Sequence, residues 1–163
     1  MKKISIFLLL FIIVSCKSKT PNTIPNKTVE IKTEVIEYKR FVPITAANVT
    51  VIKKNRAYEL GTRLLETCNT SRFKSFNSQE ATESVIKNAT VDKITKTCQK
   101  INSRNGKFIN LTLLEIIQDN ETGDFIFRYD IQYQKKYYNR ELKIIVNKDN
   151  KVSSISTKEI LKN

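Results

Sequence analysis

The segment Phe125-Ile126-Phe127-Arg128-Tyr129-Asp130-Ile131-Gln132-Tyr133 restricts the folds open to this chain more than any other. Side chains along a strand point alternately to its two faces, so Phe125, Phe127, Tyr129, Ile131 and Tyr133 share one face while Arg128, Asp130 and Gln132 share the other. Such a strand needs one dry face and one wet face, as in an antiparallel sheet covered on a single side. Its neighbours carry the same signal. An apolar-rich stretch from Phe108 to Ile117 precedes it, separated by the turn residues Asn120-Glu121-Thr122-Gly123. After a turn near Lys135-Lys136 a further strand covers Tyr138 to Val146, and Asn147-Lys148-Asp149-Asn150 turns the chain into a last one, Val152 to Glu159. The prediction is a four-stranded antiparallel meander.

Upstream the period changes from two to between three and four. From Asn55 to Thr67 the positions Ala57, Leu60, Leu64, Leu65 and Cys68 form a buried stripe that also contains Gly61. A glycine inside a helix costs about 1 kcal/mol against alanine, so its place on the stripe points to close approach by another element. Asn77 or Ser78 then caps a short second helix, with Glu80 as capping partner and Ala81, Val85 and Ile86 as its apolar side. Thr90 caps a third, carrying Val91, Ile94, Cys98 and Ile101 and stopping at Gly106. Helices followed by a meander with one face to cover give an α+β domain, N-terminal helices packed on the sheet.

The first residues have a separate logic. Met1-Lys2-Lys3 and the apolar run Ile4 to Val14 read as an export signal, too short for a comfortable spanning helix. Ile13-Val14-Ser15-Cys16 resembles the bacterial lipobox, in which the cysteine thiol takes a diacylglyceryl group and becomes the mature N-terminus. The resemblance implies a signal peptide over 1–15, lipidation and membrane attachment at Cys16, and palmitate among the acyl groups. The polar, proline-punctuated residues after Cys16 read as a flexible tether, here taken over 16–45 with the domain at 46–163. Val29, Ile31 and Val35 alternate loosely with charged residues and predict a short extended segment. Lys17 is not the aspartate that resembles an inner-membrane retention signal, and Lys17 to Thr20 holds no acid of a surface-export tag, so the expected location is the outer membrane, facing the periplasm.

Export gives meaning to the remaining cysteines. Cys68 and Cys98 would share a compartment that permits a disulfide. Packing the first and third helices on a common core could bring their Cα atoms within the roughly 7 Å a bridge allows, with two buried free thiols as the alternative. The chain has 29 basic and 16 acidic residues. Without Lys2 and Lys3 that leaves 27 against 16, a net of +11. Nucleic acid is not an expected partner of an exported protein; anionic lipid or acidic polysaccharide fits better, and lysines scattered along every segment also read simply as a solvated surface.

The order of elements, a long amphipathic helix at Asn55 to Thr67, smaller helices, then a meander ending in Glu141 to Val152, resembles the cone-shaped NTF2-like or cystatin-like domains of many small exported lipoproteins. A helix-pair-on-sheet domain, similar to small lipoproteins of outer-membrane assembly, is the second architecture. Both imply a binding role for an envelope protein or a small apolar ligand, while a small pocket-based enzyme of NTF2-like type is the alternative function. Histidine is absent from the chain, which removes the usual general base and the commonest metal ligand. No catalytic residue, metal or cofactor is therefore expected. The residues singled out for ligand contact are Tyr129 and Tyr133, whose hydroxyls could orient a polar group inside a cone, with Arg128 and Arg140 as charged partners. Arg128, Asp130 and Gln132 with Arg140 and Glu141 of the next strand could also form a cross-strand cluster, which on a solvated sheet face is ordinary.

Overall fold

The computed structural model describes residues 38–160. Cys16, the signal segment, the extended segment predicted from Val29 and most of the tether lie outside the described residues.

The alternating segment forms a strand, Phe125–Tyr133 (β3), with Phe127, Tyr129, Ile131 and Tyr133 buried and Gln132 exposed. It lies between β2 (Phe108–Asp119) and β4 (Asn139–Val146), and β5 (Val152–Ile160) completes the meander. The sheet has five strands rather than four. Phe41–Ile44 (β1) pairs antiparallel with the end of β2, Phe41 opposite Asp119 and Ile44 opposite Ile116, giving the order β1-β2-β3-β4-β5. The sheet thus begins inside 16–45, the range read as tether, at a point where Pro43 signals a break. Four residues are too few to display a period, and proline is tolerated on an edge strand because the missing N–H has no second neighbour to serve.

Between β1 and β2 the chain makes a single 3-10 turn at Ala46–Asn48 and three α-helices, α1 (Val51–Thr70), α2 (Glu83–Asn88) and α3 (Val91–Asn105). The first is longer at both ends than its apolar stripe, because Val51 and Ile52 are exposed and contribute nothing to that stripe. It ends on Ser71 in the left-handed region, and the Asn69 side chain donates to and accepts from the Phe108 backbone at 2.8 and 3.0 Å, fixing the helix end to the start of β2. The capping pair Asn77–Glu80 forms, Asn77 Oδ1 accepting from the Gln79 and Glu80 N–H groups and Glu80 accepting from Asn77 N–H, but it closes a single turn. The chain then extends at Ala81, bridging to Val152, and α2 starts only at Glu83. Thr90 caps α3, accepting from Lys93 N–H, and Gly106 stops it at φ 73°.

All three helices lie on one face of the sheet. Phe127, Leu60, Leu142, Ile144, Val146 and Val152 are completely or almost completely buried between the layers. Gly61 faces the sheet so closely that a Cβ there would stand 2.7 Å from Ile144 Cδ1 and 2.8 Å from Leu142 Cδ2. Burial of these apolar side chains, each stabilising by roughly 1.5–3 kcal/mol, is the main force joining the layers.

Candidate functional site

Whereas α1 packs directly on the sheet, α3 packs on α1, and the space it leaves beside β5 is a cleft of about 360 Å³. Its buried lining is apolar, with Leu65, Phe76, Val85, Ile94 and Ile101 beside the Cys68–Cys98 pair. The exposed lining is polar but nearly uncharged: Ser84, Asn88, Thr97, Ser156 and Thr157, with Lys93 the one ionisable side chain among the described residues that line it. Five consecutive residues of β5, Ser153 to Thr157, form one wall. This strand is a sheet edge; among the described residues only its first, Val152, is engaged on the outer side, donating to Glu80 O and accepting from Thr82 N–H at 2.9 Å each.

Discrete links hold the helices around this space. Cys68 and Cys98 are joined, with sulfurs 2.09 Å and Cα atoms 4.7 Å apart, and the bridge also borders a smaller cleft of about 150 Å³ lined by Phe73, Val91 and Asn102. Asn102 Nδ2 donates to Cys68 O at 2.6 Å. Arg63 of α1 forms a two-pronged pair with Glu80, at 3.0 and 2.7 Å, while its guanidinium covers the ring of Phe76 at 5.6 Å. Hydrogen bonding from Arg63 holds the Glu80 carboxyl at about 2, well below its ordinary value. On the opposite side Lys53 is buried near the N-terminus of α1, donating to Asn147 O at 2.6 Å, and desolvation lowers its pKa.

None of Tyr129, Tyr133, Arg128 and Arg140 lines the cleft. Tyr129 is core, stacked on Phe127 and edge-on to Tyr58, and burial raises its phenol above the ordinary range. Tyr133 is also core; desolvation pushes its hydroxyl up to about 12, and that hydroxyl has no hydrogen-bond partner among the described residues. Arg140 shares its end of the sheet, reaching Thr157 at 3.1 Å and Glu159 at 3.6 Å, and the same Glu159 pairs with Arg104 at 3.2 Å. Arg128 projects from the outer face. It is bonded to Glu115 and, at 2.6 and 2.5 Å, to both oxygens of Glu141, which is 1% exposed and whose carboxyl this bonding holds below the usual range. The Arg128–Glu141 part of the cross-strand cluster therefore exists, as a diagonal pair across β3 and β4. Gln132 bonds to Thr112 instead, and Arg140 belongs to the other face.

The cleft residues carry no sequence pattern of their own, since α1, the Phe73–Phe76 segment, α2, α3 and β5 each supply a few. The available signal is the aromatic pair Phe73 and Phe76 on the connection after α1: they pack edge-on at 5.4 Å, and Phe76 forms part of the lining. Compared with models of known protein families, with curated proteins and with solved structures, the chain matches none.

Proposed function

We propose that the domain is a non-catalytic binding module of a lipid-anchored envelope protein, and that the cleft between α2, α3 and β5 receives a small apolar ligand. The observation that carries this reading is the lining: apolar where buried, polar and almost uncharged where exposed, the usual composition of a site that binds by desolvation and orients by a few hydrogen bonds. Among the described residues the lining carries a single ionisable side chain, Lys93, which suits binding by desolvation. β1, an early strand ahead of the long helix, supports the cone-like NTF2 or cystatin resemblance among the two architectures, although a fold alone does not decide function.

A second reading has its own observation. The open edge of β5 borders the apolar lining, an arrangement that suits an extended peptide adding its backbone to the strand while its side chains enter the cleft. Titration of the full chain with a fluorescent naphthalene sulfonate, followed by competition with fatty acids and with apolar peptides, separates the two. Saturable binding that fatty acids displace, weakened at least tenfold by Ala89→Phe, supports the first; displacement by peptides alone supports the second. A signal that never saturates, or that Ala89→Phe leaves unchanged, removes the cleft as a site. The anchor is tested apart from the cleft: Cys16→Ser should abolish labelling by radioactive palmitate.

A further inference from the structure

The cations of α3 are ordered along the helix. Lys93, Lys96, Lys100 and Arg104 recur at three- and four-residue intervals, which puts them on one face, and all four are exposed. Ile94, Cys98 and Ile101 occupy the buried side. At its C-terminal end this stripe meets the turn between β3 and β4. The Lys135 backbone N–H donates to Asn105 O at 2.9 Å and its ammonium to Ser103 O at 3.1 Å, while Arg104 lies over the Tyr138 ring at 4.5 Å. Lys107, Lys135 and Lys136 are thereby added to the same end of the molecule, where Tyr137 is 77% and Tyr138 41% exposed. Acids are scarce there. Asp92 is the one carboxylate of α3, the turn from Gln134 to Arg140 has none, and Glu159 reaches in from β5 to pair with Arg104.

The outer face of the sheet shows that basic residues need not produce such a field. There Arg128 is neutralised by Glu115 and Glu141, and Lys158 also approaches Glu141 at 3.7 Å. Exposed cations alone would suit any polyanion. Two exposed phenol rings beside them narrow the choice, because tyrosine is most at home where an apolar ring and a polar tip meet a membrane–water boundary.

We propose that the face formed by α3 and the β3–β4 turn docks on a bilayer surface rich in anionic headgroups, with Tyr137 and Tyr138 entering the headgroup layer. Lys93 also borders the cleft; Lys96, Lys100, Arg104, Tyr137 and Tyr138 do not line it.

The chain contains no tryptophan, so Tyr137→Trp introduces a single reporter. The full chain carrying it is mixed with vesicles of phosphatidylcholine, alone or with phosphatidylglycerol, containing brominated acyl chains as quenchers. Lys143→Trp, on the exposed outer face of β4, is the control. Indole emission at position 137 should shift to the blue and be quenched with phosphatidylglycerol only, and the control should be unaffected. Added salt should reverse the effect as the screening length shortens. Lys96→Glu with Lys100→Glu, both at exposed helical positions, should weaken partitioning at least about tenfold, given that each basic residue near an anionic surface contributes roughly fivefold. Circular dichroism confirms that the variants keep their helices. Absence of quenching at 137, equal quenching in pure phosphatidylcholine, or indifference to the double reversal would overturn the proposal. Tighter binding of soluble heparin than of vesicles would reassign the face to a free polyanion.

Discussion

The two halves of the helix layer are held down differently. Over β2 and β4, α1 lies on the sheet through continuous side-chain contact, with Gly61 against Ile144 and Leu142 and with Ala57 and Leu60 fully buried. Beside β5 the contact is sparser: α2 and α3 reach the common core through Val85 and Ile101, a disulfide and the Asn102–Cys68 hydrogen bond tie α3 to α1, and the Arg63–Glu80 pair ties the turn before α2 to α1. Close packing leaves no volume to spare; point links position helices without filling the space between them. The cleft exists because the second half is linked rather than packed.

This contrast fails most visibly if the packed half tolerates added volume. Gly61→Leu inserts a side chain whose first carbon already lies inside the contact distance of two buried residues. Its cost should be about 4 kcal/mol or more, the range reached when overpacking cannot relax. Urea denaturation followed by circular dichroism measures it, and an unchanged midpoint would mean that α1 can lift from the sheet. Reducing the linked half should cost somewhat less. Cys68→Ser with Cys98→Ser opens a loop with a sequence separation of 30, worth about 3 to 4 kcal/mol in the chain-entropy model. Non-reducing peptide mapping reports the crosslink directly, and recovery of both residues as alkylated free thiols would contradict the structure.

The ionic link gives a pH dependence of known sign. The Glu80 carboxyl is held at about 2 in the folded domain and returns to its ordinary value near 4.5 on unfolding. A depressed folded value means that the contribution is complete above about 4.5 and disappears as pH falls toward 2. Its size is on the order of 3 kcal/mol. Glu141 and Asp119, also held low by arginines, act in the same direction. Glu80→Gln should therefore flatten, without abolishing, the loss of stability between those pH values. A variant as acid-sensitive as the parent would show that Arg63 is not what positions the Phe76 segment.

The same division explains which features were legible in the sequence. β3 was readable because nine residues alternate without a break, and α3 because Thr90, the Ile94–Cys98–Ile101 stripe and Gly106 agree with one another, although Val91, expected on the same stripe, is exposed. The capping pair at Asn77 and Glu80 was chemically right but structurally ambiguous, since its hydrogen bonds close a turn as well as they start a helix; the bridge from Ala81 to Val152, a long-range contact, decides between the two. β1 depends on pairing with residues more than seventy positions away and has only four of its own. Tyr129 and Tyr133 were placed on the correct face, yet a face does not reveal whether a side chain meets a ligand or another helix. The cleft was illegible for a related reason, because it is a gap between elements and no residue pattern encodes a gap.

Ala89 provides the smallest expected effect and the sharpest test of that gap. It lies just past α2, is half-buried and borders the cleft, whereas Gly61 borders solid packing. Ala89→Phe adds about as much volume as Gly61→Leu would, but its ring can enter about 360 Å³ of open space. New apolar contacts with Leu64 and Ile94 should offset the lost side-chain freedom, leaving stability within about 1 kcal/mol of the parent. A loss of 3 kcal/mol or more in the same urea titration would mean that the helices close onto β5 in solution, and the distinction between a packed and a linked half would disappear with the cleft.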